Sequence, residues 1–228
     1  MILRGANSTR YYRNVRADMR AFLPAQYRTV LDVGCGEGGF VDTLGPDCEV
    51  WGVEPYPAAA NKARARLHRI EEGFFEDVCP RLPEAYFDLI VCNDVIEHMP
   101  DHEYFFQKVQ RLMKPGGYLV GSIPNVRFFD TLYEVLCRRE WQYQDKGILD
   151  RTHLRFFTQL SLRRTLEQTG MNLEILRGIN PVCFRRLGLA QAARLALIFL
   201  VAGGRTDIGY VQFGFRMRLS LTTDEAPR

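Results

Sequence analysis

The stretch that most constrains this chain is Thr29-Val-Leu-Asp-Val-Gly-Cys-Gly-Glu-Gly-Gly-Phe40. Val30 to Val33 is a short apolar run of strand character that breaks directly into Gly34, Gly36, Gly38 and Gly39. Glycine takes positive φ without penalty and lets the backbone approach a ligand with no Cβ in the way. A buried strand feeding such a turn and then a helix is a nucleotide-binding arrangement. The helix start offers unpaired N–H groups and the positive end of its dipole. Glycine spacing alone does not choose the ligand, because many turns share it.

Two acids narrow the choice. Glu54 closes the next expected strand, Glu49 to Glu54, about 20 residues past Gly34, where a carboxylate can take both ribose hydroxyls. Asp32 lies inside the first strand, just before the turn. It would repel a pyrophosphate and attract a ligand that carries an amino group and a sulfonium. S-adenosylmethionine is therefore favoured over NAD.

The rest of the chain alternates strand and helix patterns. Residues 8 to 23 predict an amphipathic helix with Tyr12, Val15, Met19 and Phe22 on one face, ended by Pro24. After the glycine turn a helix runs to about Leu44, and Pro57 opens another that runs to about Arg69. A short third strand is expected near Glu72 to Phe75. Phe87 to Cys92 is a continuous apolar run suited to a parallel strand buried on both faces, with Asn93 and Asp94 at its carboxyl end. A helix over 101–113 then leads through Lys114-Pro-Gly-Gly117 into a fifth strand, Tyr118 to Ile123. A helix over 158–169 stops at Gly170, Leu173 to Leu176 gives a sixth strand, and an apolar helical stretch spans Arg185 to Val201. Val211 to Leu219 alternates and predicts an antiparallel last strand. The expected fold is α/β: a doubly wound, Rossmann-like, seven-stranded and mostly parallel sheet with a lid insertion after strand five.

Taken in order, Leu31-Asp-Val-Gly-Cys-Gly-Glu-Gly38, Glu54, Phe87-Asp-Leu-Ile-Val-Cys-Asn-Asp-Val-Ile-Glu-His98 and Leu112-Met-Lys-Pro-Gly-Gly-Tyr-Leu-Val120 carry a resemblance. Over roughly residues 28 to 125 the chain resembles the class I S-adenosylmethionine-dependent methyltransferases. The resemblance implies S-adenosylmethionine as cofactor, with S-adenosylhomocysteine as its product. It implies a loop shaped by Gly34, Gly36 and Gly38, and polar contacts from Asp32, Glu54, Pro55, Asp77 and Asn93. Val78 would lie against the adenine ring, and Tyr12 of the first helix over the ligand.

The stretch from Pro124 to Thr158 is not core sheet and would hang over the cofactor's methyl group. It joins a helix-like piece, Phe128 to Cys137, to an aromatic and polar run, Trp141 to Phe157, and holds six basic residues against five acids. A near-neutral lid excludes water and orients a small, hydroxylated acceptor rather than a strongly anionic one. His153 is the candidate general base, Asp150 its orienting partner and His98 either a second imidazole facing the site or the holder of a structural hydrogen bond there. A polar network that anchors the lid is the alternative use of Asp150 to His153. Arg151, Arg155, Trp141, Tyr143 and Asn125 are candidate substrate contacts. The lid also resembles those of bacterial methyltransferases of glycan and secondary-metabolite pathways.

Glu97, His98, Asp101 and His102 include metal-ligand types. Pro100 keeps His98 and His102 off one helical face, and no further cluster completes a shell, so no metal is expected. A net charge of +3 with no basic cluster gives no groove for nucleic acid. The most apolar run, Leu195 to Gly203, is too short to span a bilayer, and Arg4, Arg10, Arg13 and Arg16 interrupt any leader-like segment. The six cysteines never form C-x-x-C and read as small hydrophobes of a reducing cytoplasm. The expected organisation is one domain: a first helix (1–27), a cofactor core (28–123), the lid (124–158), a carboxyl-terminal sheet and helices (159–219) and a polar tail (220–228). A monomer or homodimer is expected. The rival readings are a non-catalytic cofactor-binding subunit and a nucleotide-binding oxidoreductase.

Overall fold

The computed structural model describes residues 15–183 and 187–221. Tyr12, Arg185, the first half of the expected amino-terminal helix and the polar tail lie outside the described residues.

A seven-stranded sheet runs in the order β3-β2-β1-β4-β5-β7-β6. The strands are β1 (Thr29–Val33), β2 (Glu49–Glu54), β3 (Arg69–Glu72), β4 (Phe87–Asn93), β5 (Met113–Pro124), β6 (Asn172–Pro181) and β7 (Tyr210–Arg218). β1 pairs in parallel with β2 and β4, β2 with β3 and β4 with β5, while β7 runs antiparallel to both β5 and β6. The antiparallel last strand follows from the Val211-to-Leu219 alternation.

Period-two alternation sorts the core onto two faces. Leu31, Val33, Ile90 and Cys92 pack with Phe105, Phe106 and Val109 of α3 (His102–Leu112) and with Leu162 and Leu166 of α5 (Gln159–Glu167). Val30, Val50, Leu89 and Val91 pack on the other face against Met19, Phe22 and Phe40, and against Ala60 and Ala63 of α1 (Pro57–Ala63). α4 (Phe129–Cys137) and α6 (Leu189–Val201) form a smaller cluster through Phe129, Leu195 and Ile198. The cysteines are free; Cys35, Cys48, Cys79 and Cys92 are buried, Cys137 and Cys183 exposed. Among the described residues no helix is long and apolar enough to cross a membrane.

Several elements differ from the sequence reading. The segment after the glycine turn is a short 3-10 helix, Gly39–Thr43, so its aligned peptide dipoles are few. Ala17–Phe22 is also 3-10. The third strand falls at Arg69–Glu72, earlier than expected, and Phe75 instead opens a one-turn helix, α2 (Phe75–Val78). α1 stops at Ala63 and β6 extends to Pro181, where β7 pairs along it.

Candidate functional site

The carboxyl ends of β1, β2 and β4 lie side by side, since Asp32 pairs with Gly52 on one flank and Val91 on the other. The turn after β1 continues this pairing, for the Gly34 and Cys35 amides both donate to the Val53 carbonyl at 2.8 and 3.1 Å. Gly34 has φ +72°, and a Cβ there would sit 2.7 Å from Val95 Cγ2. Only glycine fits both that dihedral and that space. Gly36 and Gly38 likewise have positive φ.

Glu54, at the end of β2, is buried and grips the turn. Its Oε2 accepts the Gly36 amide at 2.8 Å and its Oε1 the Tyr56 amide at 3.0 Å. Each oxygen keeps a further lone pair for a ligand. Burial raises the Glu54 carboxyl, and those two amides offset part of the rise. Asp32 is pushed up to about 8, first by burial and then by Glu54. Asn93 closes β4 with a buried Oδ1 that has no hydrogen-bond partner among the described residues. Val78 is fully buried and Asp77 exposed, both in α2 beyond the β2 end; Pro55 is partly covered.

This cradle fits S-adenosylmethionine. Its glycine turn admits close approach, the Asn93 amide oxygen has no donor among the described residues, and burial pushes both acids up, so that a cation near Asp32 and hydroxyls at Glu54 would satisfy them. The cofactor's ammonium and sulfonium suit Asp32 and Asn93, and its ribose hydroxyls suit Glu54.

The lid meets the sheet beyond β4. The short 3-10 helix Ile96–His98 carries Glu97 and His98, and the Glu97 carbonyl accepts the amides of Leu154 and Arg155 at 2.8 and 3.1 Å. His98 Nδ1 lies 3.2 Å from both the carbonyl and the hydroxyl of Thr152. His153 is buried, with Nδ1 2.9 Å from the Ile148 carbonyl. The two rings stack edge to face with centroids 4.8 Å apart. Burial, and then His153, lowers the His98 pKa. Glu97 is 1% exposed, and among the described residues no other residue bonds its carboxyl oxygens. Burial, then Asp94, pushes its pKa well up.

Other expected contacts are used differently. Asp150 does not orient His153: its Oδ1 accepts the Thr152 amide and hydroxyl at 2.8 and 2.7 Å, a turn built from adjacent residues. Asn125 is fully buried; its amide nitrogen donates to the Asp207 and Tyr210 carbonyls and its oxygen accepts the Arg127 amide. Its side chain therefore anchors the lid base and has no donor to spare for a substrate. Arg151 pairs with Asp145 on the surface at 2.7 Å, and Arg155 donates to the Pro100 carbonyl. Trp141 and Tyr143 are exposed and lean on Phe156.

Sequence reasoning gave one residue here no role in the site. Arg16, buried and in the left-handed region, bonds Asp94 and Ser122 and ties the amino-terminal segment to the ends of β4 and β5. Nothing in its local sequence announces a partner 78 residues away. Glu97 was visible in Val95-Ile-Glu-His98, but the histidine that joins it lies in the lid. Donor atoms of Glu97, His98 and His153 all fall within 4.8 Å of one another, close enough to share a cation.

Known proteins share this architecture. The family described as "Methyltransferase domain" matches residues 7–175. A ubiquinone biosynthesis O-methyltransferase of Chromobacterium violaceum is 30% identical over 168 residues, 68% of this chain and 70% of that protein. A trans-aconitate 2-methyltransferase of Methylobacterium radiotolerans is 34% identical over 113 residues, 48% of this chain; the match spans only 43% of that protein's length. In fold, a S-adenosylmethionine-dependent methyltransferase from Archaeoglobus fulgidus superposes with TM-score 0.61 at 19% identity, covering 84% of this chain and 86% of its own. The chain belongs to the S-adenosylmethionine-dependent methyltransferases. Its cofactor is S-adenosylmethionine.

Proposed function

We propose that this enzyme methylates a hydroxyl oxygen of a small acceptor held between the β4 end and the lid. The observation that carries the reading is the meeting of His98 and His153, brought edge to face from segments 55 residues apart. Oxygen methylation needs alignment and the loss of one proton from the acceptor, and an imidazole pair beside the transfer point suits both needs. The names of the ubiquinone biosynthesis relatives, which are O-methyltransferases, point the same way. The lid's near-balance of charge favours a neutral, hydroxylated acceptor over a polyanion.

S-adenosylmethionine supplies a methyl group activated on a sulfonium. The chain's own residues do the rest. Gly34, Gly36 and Gly38 give the cofactor backbone contact, Glu54 takes the ribose hydroxyls, and Asp32 and Asn93 face its charged amino-acid end. Asp77 and Val78 border the adenine. The His98–His153 pair is where the acceptor's proton is given up. The lid, closed by the Leu154 and Arg155 amides on Glu97, keeps water from the sulfonium carbon.

The test is His153→Ala with a hydroxylated acceptor found by screening small phenols and diols. Turnover should fall by roughly a hundredfold or more while cofactor affinity is kept. Unchanged turnover removes His153 from the mechanism.

A further inference from the structure

We propose that the outward face of α6 docks on an anionic lipid surface and lies in its plane. Leu189, Leu200 and Val201 are 93%, 77% and 63% exposed, and Leu197, Phe199 and four alanines of the helix are exposed with them. At about 100° per residue these apolar positions sweep more than half of the helix circumference. The polar side chains of α6 are used within the protein. Gln191 Oε1 accepts the Gly188 amide at 3.2 Å, while Arg194 lies over the Tyr133 ring and pairs with Asp130 at 3.6 Å. Leu195 and Ile198 alone are buried, in the small cluster with Phe129. A helix on the surface of a protein in water turns its polar side outward. This one does the reverse.

Length and charge say what covers the face. α6 has 13 residues, about 20 Å of helix, too short to cross a hydrocarbon core of roughly 30 Å but long enough to lie along its boundary. From Val182 to Arg205 the sequence holds four arginines and no acid. Arg205, just past the helix, is exposed. With Arg127, Leu160 and Val201 it lines an open cleft of about 620 Å³ at the carboxyl end of α6. Asp207, the acid of that cleft, is taken up by Arg127 at 2.7 Å, which leaves the Arg205 charge uncancelled there. Leu160 is itself exposed, so the apolar surface continues from α6 onto the start of α5. Leucine and phenylalanine side chains bordered by arginine match the acyl boundary and the headgroups of an anionic bilayer.

A second copy of the chain fits this face less well. Two-fold pairing through α6 would set the same arginines against each other. The helix, about 20 Å by 10 Å, also falls short of the roughly 800 Å² a side that a stable protein interface buries. A bilayer sets no such minimum, since binding to it scales with the apolar area inserted and the charge matched. α6 packs on α4, the helix of the lid, so docking brings the lid up to the bilayer.

The experiment is co-sedimentation of the full chain with vesicles, one series of phosphatidylglycerol mixed with phosphatidylcholine and one of phosphatidylcholine alone. Binding should be at least tenfold tighter to the anionic vesicles and should weaken severalfold in high salt. Leu189→Gln combined with Leu200→Gln should lower it at least tenfold, and Arg205→Gln severalfold. Leu200→Trp keeps the face apolar and gives a second reading should the double variant fail to fold. Its added emission should shift to the blue on anionic vesicles and be quenched by brominated lipid. No binding, equal binding to neutral vesicles, binding unmoved by the double substitution, or a new indole that stays in water overturns the proposal. A dimer in lipid-free buffer that the double substitution dissolves gives the face to a second copy and overturns it as well.

Discussion

The cofactor cradle and the lid are held by contacts of different reach. In the cradle, Glu54 bonds Gly36 across 18 residues and Tyr56 across 2, and the strands beside them are adjacent in the sheet. In the lid, Asn125 reaches carbonyls 82 and 85 residues on, and His98 reaches Thr152 across 54. A site made by two neighbouring strands keeps its geometry when distant pieces change. One made of side chains seated on remote carbonyls comes apart when a single anchor goes.

Breaking the lid's anchor should have the largest effect. Asn125→Leu fills the space but leaves two half-buried carbonyls and the half-buried Arg127 amide without this partner, at roughly 1 kcal/mol per group, the low end for unmade bonds. Urea unfolding should show a loss of about 3 kcal/mol, with early proteolysis between 138 and 156. A variant as stable as the parent would show that water replaces all three bonds.

Asp32 sharpens the other half. Its carboxyl is held at about 8 by burial and by Glu54, against an unfolded value near 3.9. The folded apoprotein therefore binds more protons than the unfolded chain between about pH 4 and pH 8, and stability must fall as pH rises through that window. Asp32→Asn should flatten the slope. Binding a sulfonium and an ammonium favours the ionised form, so cofactor binding at pH 7 should release protons. That release is measured as a dependence of binding enthalpy on buffer ionisation, and a buffer-independent enthalpy would contradict the assignment. The smallest effect belongs to Arg151. Its ion pair with Asp145 is on the surface, so Arg151→Ala should shift stability by less than about 0.5 kcal/mol and leave turnover unchanged. A large loss of turnover would return Arg151 to the substrate site.

These two kinds of contact also decide what could be read from the sequence. Apolar Phe87 to Cys92 and the alternation after Val211 carry their own structure, so β4 and the antiparallel β7 were legible. The glycine turn was legible because positive φ at Gly34, Gly36 and Gly38 has few other residue solutions. The 3-10 form of Gly39–Thr43 was not, since Gly45-Pro46 cuts that segment short before a longer helix can propagate. His98 and His153 were each visible as imidazoles; their meeting was not. Asp150 looked like an orienting acid by proximity in sequence, yet the same proximity lets it close its own turn on Thr152.

The division of labour between cradle and lid is the central claim, and one set of titrations tests it directly. S-adenosylhomocysteine is titrated calorimetrically into the unaltered enzyme, Glu54→Ala and His153→Ala. The account predicts binding that weakens at least tenfold in Glu54→Ala and stays within twofold in His153→Ala. Equal losses in both variants, or an unaltered enzyme that binds NAD in place of the sulfur ligand, would contradict it.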